Sequence, residues 1–345
     1  MESHILKHAF DRTESFRPNE RLDALIAELK ALVEPGQQTA NQRFERPKGP
    51  VIAVVGCPRS GTTFLTQLLA KTGALSYPSN LLARFAYAPY VGALIQQMLL
   101  NPDLDFRNEF SDLRSGSGFV SDVGKTSGAL GISEFFHFWR RFFPNHDPGH
   151  VDGEALKDVK VNELRCELAG IEAAFGKPFM SKAMMLQYNL AFFMKAMPEL
   201  VVVHVRRDPL YVMQSITQAR LKYYGTEAIW WSVKPREYDF LKDEPPATQV
   251  AGQVLYTDEC IRREAGQEPK NRYIEARYEE ICESPHLFLK KMAEYLQMPE
   301  LVKNIQKIDP CFPSGNSRRL DDATLKNLSD HYKILKTRYP AGDVA

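Results

Sequence analysis

Residues 51–71 read VIAVVGCPRSGTTFLTQLLAK. Val51, Ile52, Ala53, Val54 and Val55 form an unbroken apolar run, the composition of a strand buried on both faces of a parallel sheet. Gly56 to Gly61 is a short loop with two glycines and Pro58. From Thr62 onward, Phe64, Leu65, Leu68 and Leu69 fall at helical spacing, and Gly73 sits where that helix can end. A strand, a glycine-bounded loop and a helix N-terminus together make an anion site. Backbone N–H groups and the positive end of the helix dipole point at an entering phosphate. The nucleoside-triphosphate form of this loop, GxxxxGK[ST], needs a lysine after the second glycine to reach the β- and γ-phosphates. Here Gly56 and Gly61 have that spacing, but Thr62 and Thr63 follow, and Arg59 stands in the middle of the loop. The reading is a phosphate ligand with less charge to neutralise and no obvious metal.

The chain has 345 residues, enough for one large α/β domain or two small ones. Its 44% hydrophobic and 25% charged content is that of an ordinary globular protein. A net charge of +1 argues against nucleic acid as the main partner. Cys57, Cys166, Cys260, Cys282 and Cys311 are scattered, odd in number and without a CxxC pair, which suits reduced thiols and offers no metal-site spacing. The first thirty residues are charged and lack an apolar core, so no signal peptide is expected. No run approaches the ~20 apolar residues of a transmembrane segment. A cytoplasmic protein is the expectation.

Residues 1–48 read as a helical N-terminal arm, and 49–345 as a single domain. Within the arm, Asn19 to Val33 carries Leu22, Leu25, Ile26, Leu29 and Leu32 at helical spacing, and Glu34-Pro35-Gly36 is expected to end it. A cap over the site, a dimer contact and a packed surface helix are all open for this arm. Residues 76–150 do not read as regular α/β. They look like an insertion carrying an acceptor pocket and its lid. Tyr77 to Leu100 is apolar and aromatic. Ser133, as N-cap, is expected to open a helical run from Phe135 to Phe143.

The second strong signal is LVVVHVRRDPLYVMQSITQAR, residues 200–220. Leu200 to Val205 is another buried strand, and Asp208-Pro209 is an N-cap followed by the N1 proline of a helix. Arg206 and Arg207 end the strand, and Ser215 falls about two turns into the helix. In a parallel sheet the carboxyl ends of neighbouring strands face one crevice. An Arg–Ser anion clamp is therefore expected near the 56–63 loop. Two phosphate sites on one crevice suggest a nucleotide phosphorylated at two positions. Further on, Arg272 to Arg277 has strand character, an amphipathic helix follows Ser284-Pro285, and CFPSGNSRR (311–319) is a basic loop able to close on a phosphate.

The segments CPRSGTTFL, VRRDPLYVMQS and RYEEICESP, in that order, resemble the sulfotransferases that use 3′-phosphoadenosine 5′-phosphosulfate (PAPS). The resemblance covers roughly residues 51–320. It implies a three-layer P-loop-like α/β fold with a central parallel sheet flanked by helices, and PAPS as sulfuryl donor without metal. Pro58, Arg59, Ser60, Gly61, Thr62, Thr63 and Phe64 would cradle the 5′-phosphosulfate, and Arg207 with Ser215 would hold the 3′-phosphate. Tyr278 would lie by the adenine, and the loop with Ser317, Arg318 and Arg319 would close over the 3′-phosphate. Arg59 and the helix N-terminus would stabilise the charge that builds on the leaving phosphate, and Lys182 could add a second cation.

The general base is less plain. Many members acting on glycans or tyrosine have an acidic residue about twenty positions after the loop arginine, but here that region reads Ser76-Tyr77-Pro78-Ser79-Asn80. Glu134 is favoured, as a residue opening a helix beside an aromatic wall that would desolvate it. His137 comes next and Asp122 stays open; His146 and His150 are weaker. The expected acceptor is a hydroxyl, or less readily an amine, of a small molecule, glycan or lipid-linked sugar, and a homo-oligomer stays open. Two other readings stand beside this one: a P-loop kinase, and an inactive nucleotide-binding scaffold.

Overall fold

The computed structural model describes residues 11–338 except 106, 115–120, 123–124, 145–147 and 267–271. Four parallel strands build the sheet: β1 (Val51–Val55), β2 (Met180–Lys182), β3 (Leu200–Arg206) and β4 (Tyr273–Arg277). Their order across the sheet is β2–β1–β3–β4. Val54 pairs with Lys182, Val55 with His204 and Arg206 with Arg277, so all four carboxyl ends reach the same edge.

Alternation along β1 divides the core. Ile52 and Val54 face one layer, with Leu65 and Leu68 of helix α2 (Thr62–Lys71) and Leu289 and Met292 of α9 (Pro285–Leu296). Val51, Ala53 and Val55 face the other, with Leu164 and Leu168 of α4 (Val161–Phe175) and Phe193 of α5 (Leu190–Ala196). The expected α/β three-layer architecture is present. A third cluster joins α6 (Pro209–Tyr224), α7 (Pro246–Gly266) and α10 (Asp322–Arg338) through Ile216, Leu255 and Leu328. The other helices longer than one turn are α1 (Glu20–Asn41), α3 (Pro89–Leu100) and α8 (Tyr278–Glu283), and single helical turns lie at Ser111–Arg114, Phe136–Trp139 and Tyr238–Leu241. Among the described residues no helix is long and apolar enough to cross a membrane.

Two local expectations change. Helix α1 does not stop at Pro35 but runs through it to Asn41. An interior proline costs a helix about 3 kcal/mol, and tertiary contacts beyond it offset that cost. Buried Gln37 accepts from the Tyr90 N–H at 2.9 Å and donates to Asn41 at 2.6 Å, while Thr39 donates back to the Pro35 carbonyl. The aromatic run after Ser133 is also not one helix. It is a single turn, Phe136–Trp139, continued by a 3₁₀ turn, Arg140–Phe142. Phe135, at φ 54°, precedes it as the cap residue, and Ser133 Oγ accepts only the Phe135 N–H. Glu134 therefore lies in a loop.

The insertion is tied to α4 by an ion pair, and the arm joins the same carboxylate through a hydrogen bond. Arg141 grips Glu167 of α4 through two bonds of 2.7 and 2.8 Å, and Asn41 of α1 donates to the same carboxylate at 3.4 Å. Only 4% of the Glu167 side chain is exposed. Burial pushes its pKa up against the pull of Arg141. Removing one partner of such a pair leaves an uncompensated buried charge, so Arg141→Ala is expected to lower stability by about 3–5 kcal/mol. The shift of the urea unfolding midpoint measures it, and a loss below about 1 kcal/mol, the worth of a surface pair, would show that the carboxylate finds water instead.

Candidate active site

The loop after β1 turns on two unusual backbone positions. Gly56 has φ 151°, and a Cβ there would lie 2.6 Å from the Val205 carbonyl of β3. Gly61 has φ 103° and precedes α2, where a Cβ would meet the Tyr278 ring at 2.5 Å. Between them Arg59, although not glycine, also takes a positive φ of 71°. No side chain caps α2. Its first amides and the positive end of its dipole thus face the loop, an arrangement suited to an anion. Ser60 points the same way chemically: its Oγ is buried and has no hydrogen-bond partner among the described residues. A phosphate oxygen would answer that hydroxyl, and the two glycines let the loop backbone lie directly against β3 and the Tyr278 ring.

Arg59 and Arg207 knit this loop to β3, α6 and the basic loop. The Arg59 Nε donates to Ser215 Oγ at 2.9 Å. Arg207 Nη1 donates to the Arg59 carbonyl at 3.0 Å, Nη2 to the Gly315 carbonyl at 2.8 Å, and Nε to Asn316 Oδ1 at 2.7 Å. Its guanidinium also sits 4.7 Å above the Tyr278 ring, a cation–π contact. Arg207 and Ser215 are thus gathered at one place, linked through Arg59. Arg206, one residue earlier, turns the other way to Asp258 and Glu275 and takes no part.

Tyr278 begins α8 at the carboxyl end of β4, and its hydroxyl accepts the Gly315 N–H at 2.9 Å. Burial raises its pKa, so it stays a neutral phenol. The ring meets Phe64 edge-on at 5.9 Å, and Phe64 meets Phe312 at 5.1 Å. These three aromatic rings lie beside the anion loop. Buried Thr62 faces the loop, and Pro58 packs inside it.

The basic loop is held from behind by Gln214, which donates to the Ser317 carbonyl at 2.8 Å and accepts from the Arg319 N–H at 2.6 Å. Arg319 Nε reaches Ser317 Oγ at 3.3 Å. Arg318, by contrast, pairs with Asp322 on the surface. Glu279 secures the other side by accepting from the Asp208 N–H and from Asn316. Burial works against its charged form, but those hydrogen bonds hold its pKa below the usual range. Gln214, Glu279 and Asn316 were not singled out in the sequence. Each adjoins a residue that was, but a lone amide or carboxylate carries no signal.

On the opposite side of the loop, Lys182 ends β2 with only 8% of its side chain exposed. Its Nζ donates to Glu134 Oε1 at 2.6 Å. The sequence reading of Glu134 as a helix-opening, desolvated carboxylate is corrected here: it sits in a loop, 41% exposed, and its environment is set by an ammonium. His137 does not join this pair. It lies at the surface, where partial desolvation, then Arg140 and Arg84, push its pKa below the usual histidine value, with Asp23 of α1 opposing them. His150 Nδ1 contacts the Tyr188 carbonyl and Nε2 lies 3.8 Å from Asp152. His146 and the side chain of Asp122 lie outside the described residues. A residue missed in the sequence is Tyr223, near the end of α6. Burial raises the pKa of its phenol, and Glu134 and Arg59 both lie near enough to act on it.

Residues 50–301 match the model of the sulfotransferase family. No curated protein matches the chain in sequence. Among solved structures, the chain is similar to sulfotransferase STF9 from Mycobacterium avium, with 14% identity, a TM-score of 0.55, and 89% of this chain and 80% of that one covered. Sulfotransferase STF1 from Mycobacterium tuberculosis H37Rv gives 14% identity and a TM-score of 0.52 over 86% and 80%. At such identities the two structures speak for the fold, and the family match spans well over half of the sequence. A parallel sheet whose carboxyl edge carries an anion loop without the kinase lysine therefore has its place: the chain belongs to the sulfotransferase family, with a P-loop-like fold.

Proposed function

We propose that the protein transfers the sulfuryl group of PAPS to a hydroxyl of a small-molecule, glycan or lipid acceptor. The observation that carries this reading is the joined pair of anion groups: the α2 N-terminus with Ser60 and Arg59, and Arg207 with Ser215 beyond it. A nucleotide with phosphates at its 5′ and 3′ positions matches two such groups flanking an aromatic cluster. Gly56, Gly61 and the orphan Ser60 hydroxyl fit the 5′ end, and Arg207, Ser215, Ser317 and Arg319 fit the 3′-phosphate. Phe64 and Tyr278 offer rings to the adenine. The surface Arg318–Asp322 pair gives Arg318 a lesser part than the sequence suggested. Five free, scattered cysteines support a reducing, cytoplasmic setting.

PAPS supplies an activated sulfuryl group; the chain supplies charge and orientation. Amides at the start of α2 and the Arg59 guanidinium stabilise negative charge developing on the leaving phosphate. Arg207 fixes the loop that carries Arg59 by binding its carbonyl. Lys182 offers a second positive charge across from Arg59 and orients Glu134, which takes the acceptor proton at a carboxylate oxygen. His137 has no role in this scheme, since its neighbours are Arg140, Arg84 and Asp23.

Calorimetry with 3′-phosphoadenosine 5′-phosphate tests the donor site. Binding by the wild type, weakened by about 1.5–3 kcal/mol in Arg207→Ala, is the expected result. Binding only of ATP with Mg²⁺ would replace this reading with a kinase. Gly61→Ala is expected to weaken the same binding by about 1–3 kcal/mol, because its left-handed backbone and the Tyr278 contact both resist a Cβ. With an acceptor in hand, Glu134→Gln should lower kcat by roughly 10²–10⁴ while leaving nucleotide affinity unchanged. Equal turnover by Glu134→Gln and wild type would remove Glu134 from the base role.

A further inference from the structure

Arg207 is held by a relay of hydrogen bonds that runs through two residues outside the donor site as described so far. Its Nε donates to Asn316 Oδ1 at 2.7 Å. Asn316 Nδ2 donates in turn to Glu279 Oε1 at 2.8 Å, and the same oxygen accepts the Asp208 N–H at 3.0 Å. Glu279 follows Tyr278 in α8, and Asp208 is the N-cap of α6, the helix that carries Ser215. The relay thus ties the guanidinium of Arg207 to the starts of two helices. Its middle member, Asn316, lies in the basic loop, where the neighbouring Gly315 carbonyl accepts from Arg207 Nη2.

An asparagine amide has an oxygen that accepts and a nitrogen that donates, and either can face a given neighbour. Glu279 removes that choice. Burial works against its charge, but the bonds from Asp208 and Asn316 hold its pKa below the usual range, so its carboxylate only accepts. Nδ2 must then face Glu279, and Oδ1 must face Arg207. A turned amide would set Nδ2 against the Arg207 Nε–H, donor against donor, and push the guanidinium from its place. A guanidinium has five N–H groups. Asn316, the Arg59 carbonyl and the Gly315 carbonyl take one from each nitrogen. What remains is one N–H on each terminal nitrogen, the pair that meets two oxygens of a phosphate. The Tyr278 ring, 4.7 Å from the guanidinium, covers one of its faces.

We infer that Glu279 and Asn316 are positioning residues for the nucleotide's 3′-phosphate: Glu279 fixes the Asn316 amide, and Asn316 fixes the Arg207 guanidinium with its terminal N–H pair toward the phosphate. The inference rests on the donor reading above, which puts that phosphate against Arg207. Neither residue touches the nucleotide in this arrangement, and both act through Arg207. Charge and orientation pull in opposite directions here. A carboxylate close to an anion site repels the anion, so its removal would by itself tighten phosphate binding. If Glu279 supplies orientation, its removal loosens binding instead.

The test titrates 3′-phosphoadenosine 5′-phosphate into the full-length wild type, Glu279→Ala, Glu279→Gln and Asn316→Ala, and into Arg207→Ala with and without Glu279→Ala. Thermal midpoints are recorded for each. Glu279→Ala and Asn316→Ala should each weaken binding about three- to tenfold, the range of one ordinary hydrogen bond. Glu279→Gln keeps an accepting oxygen at the same position and loses the repelling charge, so it should bind at least as tightly as wild type. In the Arg207→Ala background the effect should vanish or reverse, since only the repulsion is left for Glu279→Ala to remove. Binding by Glu279→Ala equal to or tighter than wild type overturns the inference. So does a loss of the same size in the Arg207→Ala background, or one that follows a falling thermal midpoint, which would make Glu279 a support of the fold only. Should Glu279→Ala not fold, Asn316→Ala decides: a weakened affinity at an unchanged midpoint supports the relay, and a wild-type affinity overturns it. A wild type that binds no 3′-phosphoadenosine 5′-phosphate overturns the donor reading and this inference with it. A wild type that binds it as tightly as Glu279→Ala overturns the inference alone.

Discussion

Parallel pairing is the constraint from which the rest of the molecule follows. Because β2, β1, β3 and β4 run the same way and in register, each strand delivers its next residues to one edge. Gly56, Lys182, Arg207 and Tyr278 come from four distant places in the chain, and all arrive there. Parallel strands need long crossovers, and here the crossovers are the helices and the insertion that wall the crevice. An antiparallel arrangement of the same segments would send half of these residues to the opposite edge. The sheet is therefore the device that turns scattered basic and aromatic residues into one site.

At that edge, electrostatics and packing are shared among few side chains. Arg207 satisfies three acceptors and covers an aromatic ring, so a single guanidinium links the anion loop, the basic loop and the start of α8. Desolvating a guanidinium is costly unless its donors are met. Here all three acceptors come from the chain, which keeps the crevice walls defined. Across the loop, Lys182 and Glu134 form a second, wetter pair whose carboxylate reaches solvent. The two sides differ in character: the Arg207 side is tied down, and the Glu134 side is open.

The legible parts of this protein were those encoded locally. Glycine spacing, a β-branched run and helical periodicity all lie within the stretch 51–71, and strand, loop and helix were found where those patterns placed them. The Asp208-Pro209 helix start is equally local, and Asp208 caps it as expected. What could not be read depends on distant partners. Helix α1 passes Pro35 because Gln37 is held by Tyr90, 53 positions away. Glu134 owes its setting to Lys182, 48 positions on. The aromatic run 135–143 has helical composition, but Phe135 takes a left-handed backbone that delays the helix to Phe136, and the turn tightens to 3₁₀ at Arg140 and ends at extended Phe143 as the rings pack into the core.

Arg59 shows where stability and chemistry part. Its positive φ is a conformation that a side chain makes unfavourable and that glycine accepts freely. The chain nevertheless keeps a guanidinium at this position and bears the strain, about 1–3 kcal/mol for such a residue. A designer optimising the fold alone would place glycine there and obtain a sturdier loop with no cation in it. Thermostabilising this protein by relaxing its backbone would thus select against the cation of the proposed reacting centre. Screens that score folding alone would reward the variants that have lost it.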